Sequence, residues 1–118
     1  MTTLRLSANS IGPEGAIAIA EALKVNAVLT ELCLWDNNMF GLEGAIAIAE
    51  ALKVNAVLTT LRLDVNEIGA EGAKAIAEAL KVNAVLTKLW LGSNNLGDAG
   101  EKAVRKAVKG RRGFELRL

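Results

Sequence analysis

Three carboxylates, Glu14, Glu43 and Glu71, recur at the same place in three copies of one segment, and a row of carboxylates is what general acid and base chemistry uses. Each also stands at the start of an expected helix, where the positive end of the helix dipole accounts for an acidic residue without catalysis. The chain has no His and no Tyr, which removes the commonest general base and the commonest metal ligand together. Cys33 is the one thiol. It has no imidazole to activate it and no second Cys with which to hold zinc. The Gly-x-x-Gly pairs Gly12 and Gly15, Gly41 and Gly44, Gly69 and Gly72, and Gly97 and Gly100 could cradle phosphate at helix starts. However, no Gly-x-x-x-x-Gly-Lys-Ser/Thr loop occurs, and an acidic residue beside each turn would repel phosphate. The sequence therefore argues against an enzyme, a bound metal and a cofactor, and tight turning explains the glycines.

The elements that position these residues come from repetition. The segment EGAIAIAEALKVNAVLT spans Glu14 to Thr30 and again Glu43 to Thr59, and a third copy from Glu71 to Thr87 differs only by Lys74. Units of this length cannot bury their own apolar faces and must stack on their neighbours. Between the copies stand LRLSANSIGPEG from Leu4, LCLWDNNMFGLEG from Leu32, LRLDVNEIGAEG from Leu61 and LWLGSNNLGDAG from Leu89, followed by a last LRL from Leu116. The starts are 28, 29, 28 and 27 residues apart. Leu-x-Leu is the alternation of a short strand with one buried face. After each Gly-rich turn a helix is expected; in the first unit Pro13 suits its first position, and Ala16, Ile19, Ala20 and Leu23 form its inward stripe.

This pattern resembles the leucine-rich repeats of the ribonuclease-inhibitor type, as in the sensing domains of intracellular innate-immune receptors. The resemblance covers nearly the whole chain. It implies an α/β solenoid, a horseshoe arc of parallel inner strands and outer helices, with four repeats and a terminal strand at 116–118. It also implies that residues 1–118 form a single repeat domain, that Leu4, Leu6, Ile11, Ile19, Leu23 and Leu29 are first-unit core, and that Asn9, Asn37, Asn66 and Asn94 form a structural asparagine ladder. Asn26, Asn55 and Asn83, just past their helices, read as helix terminators. Two departures stand out: Phe40 is an extra residue in the second turn, either tucked under its loop or offered as a contact, and the last unit is shortened at residues 109–114.

Comparison of the copies locates the variable surface. The helix half is nearly constant, whereas Arg5, Cys33, Arg62, Trp90 and Arg117 stand between the paired leucines, and Ser7, Trp35, Asp64 and Gly92 follow the second leucine. By the strand period both columns face away from the helices, onto the concave surface, with Glu31, Asp36, Thr60, Val65, Lys88 and Ser93 beside them. Both tryptophans of the chain lie there. Trp and Arg are the residues most enriched at binding hot spots, and diversity on one face of a constant frame is what a binding module needs. The expected partner-binding residues are Arg5, Ser7, Glu31, Cys33, Trp35, Asp36, Arg62, Asp64, Lys88 and Trp90. The alternative is that both rings only cover strand edges.

Charge and composition bound the partner. The net charge is +1, but residues 1–100 carry 7 Lys/Arg against 11 Asp/Glu, and residues 101–118 carry 7 against 2. Arg105, Lys106, Lys109, Arg111 and Arg112 read as a polar cover for the last helix, and no aromatic residues interleave with them for base stacking, which argues against nucleic acid. Charged residues interrupt every apolar stretch too soon for a membrane span. The lone cysteine fits a reducing, cytoplasmic compartment. A protein partner of unstated identity is the leading expectation. A competing one is a self-assembling scaffold, since Leu4 follows only three residues and the first strand presents an edge, so that copies could associate through their terminal repeats.

Overall fold

In the computed structural model, which describes residues 2–6, 11–35 and 41–118, strands and helices alternate along the chain. The order is β1 (Thr2–Arg5), α1 (Gly12–Val25), β2 (Leu29–Cys33), α2 (Gly41–Val54), β3 (Thr60–Arg62), α3 (Gly69–Val82), β4 (Lys88–Trp90), α4 (Gly97–Val108) and β5 (Glu115–Arg117). All five strands are parallel, and their order in the sheet is their order in the chain. The helices pack in a row, each on the next. This is a leucine-rich-repeat solenoid in which every unit contributes one strand and one helix.

The Leu-x-Leu alternation accounts for the core. Leu32, Leu34, Leu61, Leu63, Leu89 and Leu91 are fully buried, together with Ile48, Ile76 and the alanines of the inner helix faces. Each buried leucine contributes roughly 1.5–3 kcal/mol. The glycine pairs divide into two tasks. Gly12, Gly41, Gly69 and Gly97 all have positive φ, between +63° and +76°, where a Cβ is disfavoured. The second glycine allows close packing: a Cβ on Gly72 would lie 2.9 Å from that of Ala45, and one on Gly100 would lie 3.2 Å from Cα of Ala70.

Two sets of amides join the units. Asn94 Nδ2 donates to the Leu63 carbonyl of the preceding unit at 2.9 Å and to Leu91 at 2.9 Å, while its oxygen accepts from the backbone N–H of Asn66 at 2.6 Å and of Ile68 at 3.2 Å. Asn66 likewise donates to Leu34 and Leu63. Asn9 and Asn37 lie outside the described residues. The second set runs along the helix ends. Asn55 and Asn83 do end their helices, but each also reaches back one unit, Asn55 to Leu23 at 2.8 Å and Asn83 to Leu52 at 2.8 Å and Asn55 at 3.0 Å. Reading them as terminators alone understates them. Arg111, 28 residues after Asn83, stands at the next rung of this ladder. Its guanidinium donates to the Leu80 carbonyl at 3.2 Å and the Leu86 carbonyl at 2.8 Å, and lies 4.8 Å from the Phe114 ring centre. Arg111 is thus a rung as well as part of a polar cover.

The first unit departs from the expected core. Leu4 is 40% exposed, whereas its equivalents Leu32, Leu61 and Leu89 are fully buried. Leu6, Ile11 and Ile19 are partly buried, and Leu23 and Leu29 are buried. Among the described residues no element covers the outer side of β1, so the side chains that neighbours would enclose in an inner unit remain half open. The terminal strand begins at Glu115, one residue before the expected boundary.

Candidate functional site

The strand register brings the variable residues into columns. Arg5 pairs with Cys33, Cys33 with Arg62, Arg62 with Trp90, and Trp90 with Arg117, on the sheet face opposite the buried leucines. Adjacent parallel strands are about 4.8 Å apart, which puts each side chain of a column in reach of the next. A second column places Glu31 beside Thr60, Thr60 beside Lys88 and Lys88 beside Glu115.

At the centre of this face Arg62 lies between two aromatic rings. Its guanidinium carbon is 3.8 Å from the Trp90 ring centre and 5.6 Å from that of Trp35. Both distances are within cation–π range, worth about 0.5–1 kcal/mol at exposed sites and more where water is excluded. Asp64 fixes the same guanidinium through a 3.1 Å bond from Nη2 to Oδ2. On the far side Arg117 lies 5.6 Å from the Trp90 ring centre and is held by Glu115 at 3.0 Å. Trp90 is therefore flanked by two guanidinium groups, each tied to a carboxylate. Trp35 keeps 37% of its surface exposed.

Among the described residues, Arg62 Nε, Asp64 Oδ1 and Trp90 Nε1 are buried without a hydrogen-bond partner. Buried polar atoms are nearly always paired, and leaving one unpaired costs roughly 1–3 kcal/mol. Next to them Val65 adopts φ +61° and is 42% exposed. Ser93, 28 residues on, has φ +55°, so the left-handed conformation belongs to the turn of the repeat, and a valine there is strained because its side chain is β-branched.

The remaining expected contact residues are arranged less compactly. Arg5 is exposed and shares no ion pair with the described residues, Glu31 is half-buried and Lys88 is exposed. Cys33, expected at the contact surface, is only 6% exposed and lies between Arg5 and Arg62 in register. Ser7 and Asp36 lie outside the described residues, as does Phe40. The stack of Arg62 on Trp90 was not foreseen, although the signal was present, because residues 28 apart in this chain are neighbours in register. The ion pair of Glu115 with Arg117 was also missed.

A groove lined by Pro13, Gly41, Leu42 and Glu43 encloses about 180 Å³, below the roughly 300–1,000 Å³ of small-molecule sites. Among the described residues no group of His, Cys, Asp and Glu could hold a metal ion, and no helix is long and apolar enough to cross a membrane.

The comparisons with known proteins bear on this architecture. A family model of the leucine-rich repeat matches residues 1–20, 25–49, 54–77 and 82–104. The chain belongs to the leucine-rich-repeat family. Among solved structures 41 chains match. One of them, the leiomodin-1 actin-binding site 2, is 31% identical with a TM-score of 0.88, and the match covers 99% of this leucine-rich-repeat chain and 69% of that one. Comparison with curated proteins returns no match.

Proposed function

We propose that this leucine-rich-repeat protein is a non-enzymatic interaction module that binds a protein partner through the concave, strand-lined face, with Trp35, Arg62 and Trp90 at the centre of the contact. The observation that carries the reading is the Arg62 guanidinium between two tryptophan rings on the one face where the repeats differ. Aromatic and arginine anchors of this kind dominate binding energy. Arg5, Glu31, Asp64 and Lys88 form the polar surround, and the mixed charge suits a protein surface better than a polyanion. The solved neighbour is named for actin binding, which makes actin the first natural partner to try. The ribonuclease-inhibitor type fits the unit spacing and the helix in every unit, and the lone thiol fits a cytoplasmic setting.

The direct test uses peptides selected on the immobilised protein from a random library. A variant carrying Trp35→Ala and Trp90→Ala should bind them at least tenfold more weakly while keeping its circular dichroism spectrum. Undiminished affinity in a folded double variant would contradict the reading.

A second reading, association between copies, draws on the 40% exposure of Leu4 in β1, which pairs only with β2 among the described residues. Light scattering over a concentration series at low and high salt separates the two readings. Mass that grows with concentration and falls back in salt would favour assembly through the oppositely charged ends.

A further inference from the structure

On the outer, helical side the residues that face away from the core change character halfway along the array. Pro13 and Ile17 of α1 occupy the places of Leu42 and Ile46 in α2, of Ala70 and Lys74 in α3, and of Asp98 and Lys102 in α4. The two positions are four residues apart and so lie on one face of each helix. Ile17, Leu42 and Ile46 are 37%, 46% and 43% exposed, and Pro13 is exposed as well. Helix α1 packs on α2, and packed helices lie roughly 8–10 Å apart, which joins these side chains into one patch. The groove of about 180 Å³ belongs to it, since Pro13 and Leu42 are two of its walls.

Charge follows the same division. In α3, Glu71 is paired with Lys74 at 3.4 Å. In α1 and α2 an isoleucine replaces that lysine, and Glu14 and Glu43 take part in no ion pair among the described residues. Glu21 and Glu50, the other acidic residues of these helices, are paired with Lys24 and Lys53. Two free carboxylates therefore border the apolar patch. Single apolar residues on a surface need no explanation, whereas a contiguous patch with a polar rim marks an interaction site.

We propose that the α1–α2 face is a second docking surface, separate from the strand face, for an amphipathic helix of a protein partner with Lys or Arg beside its apolar stripe. Apolar residues of the partner at i and i+4 pack between α1 and α2, one of them in the groove, in the manner of a helix laid into a hydrophobic groove. Its cations pair with Glu14 and Glu43 as Lys74 pairs with Glu71. A second copy of this chain suits the face poorly. Two such patches set together would oppose carboxylate to carboxylate, and the basic helix α4 has no exposed large apolar residue with which to fill the groove.

The probe is a peptide library on a helical alanine host, with an i, i+4 pair of positions varied among apolar residues and the positions beside it among Lys, Arg, Gln, Glu and Asp. Peptides selected on the protein are then titrated against variants. The expected survivors carry Lys or Arg beside the apolar pair and bind a variant with Ile17→Lys and Ile46→Lys at least tenfold more weakly. These lysines copy α3 and α4 at exposed positions, so the fold is kept, as circular dichroism will verify. A variant with Glu14→Gln and Glu43→Gln, which leaves the apolar patch intact, should bind several-fold more weakly, and Trp35→Ala with Trp90→Ala should change nothing. No survivors, no preference for cations over acids, or undiminished affinity for the lysine variant overturns the inference. Survivors weakened only by the tryptophan substitutions also overturn it, while supporting the strand-face reading. A mass in light scattering that doubles for the unmodified protein and not for the lysine variant would assign the face to a second copy and overturn it too.

Discussion

The helix-end ladder and the strand face treat polar groups in opposite ways. Along the ladder the amides of Asn55 and Asn83 are buried, and both their nitrogen and oxygen atoms are hydrogen-bonded, each to backbone of its own unit or the one before. On the strand face Arg62, Asp64 and Trp90 each keep a buried atom unpaired among the described residues. The ladder is identical in three units, whereas the face differs in all of them. Polar groups that serve the stack are satisfied within it. Those left unsatisfied are concentrated where the units diverge, which is the distribution expected when one side holds the array together and the other meets something outside it.

Substitutions should separate the two sides by the size and kind of their effects. The largest loss is expected for Asn83→Leu, which leaves two carbonyls and the N–H groups of Val85 and Leu86 without their partner. At roughly 1–3 kcal/mol per stranded buried group, partly relieved by relaxation, urea unfolding should show a loss of about 4 kcal/mol. The same change at Asn26 should cost about 1 kcal/mol, because that residue is exposed and caps only Val28 and Leu29. Similar losses at both positions would mean that bonds between units matter little. Arg111→Met should cost about 2 kcal/mol, by removing two bonds from a charged donor while keeping the length of the side chain.

On the strand face the sign should reverse. Val65→Asn relieves a left-handed valine and should raise stability by about 1 kcal/mol in the same unfolding measurement. Its backbone N–H bond to Gly92 at 3.0 Å is unaffected by the exchange. A loss of stability would show that the valine side chain supports the fold. The smallest effect belongs to the exposed helix pairs. Lys24→Gln, which breaks the 3.3 Å pair with Glu21, should change stability by about 0.5 kcal/mol or less.

Much of this was legible in the residues. The leucine spacing identifies the strands and their buried sides, and the period of the units aligns Arg62 with Trp90. The glycine positions were also readable as turns, although their division between positive φ and close packing depends on distances that no pattern contains. The second ladder could have been found by the argument applied to Asn66 and Asn94, since Asn26, Asn55 and Asn83 are equally constant. It was hidden because a residue just past a helix has a sufficient local explanation. The exposure of Leu4 and the burial of Cys33 were not readable in the same way. The first depends on what packs beside a strand, and the second on how side chains of different length settle on neighbouring strands. The unpaired atoms around Arg62 follow from side-chain torsions, which the repeat does not encode.

We propose that this leucine-rich-repeat protein meets its partner on the strand face. The most direct measurement is a map of amide and indole chemical shifts on adding a library-selected peptide. If the strand face binds, changes concentrate at Arg5, Trp35, Arg62, Asp64, Trp90 and Arg117, with α1 to α4 quiet. Changes concentrated on the helices, with the two indole resonances unmoved, would contradict it.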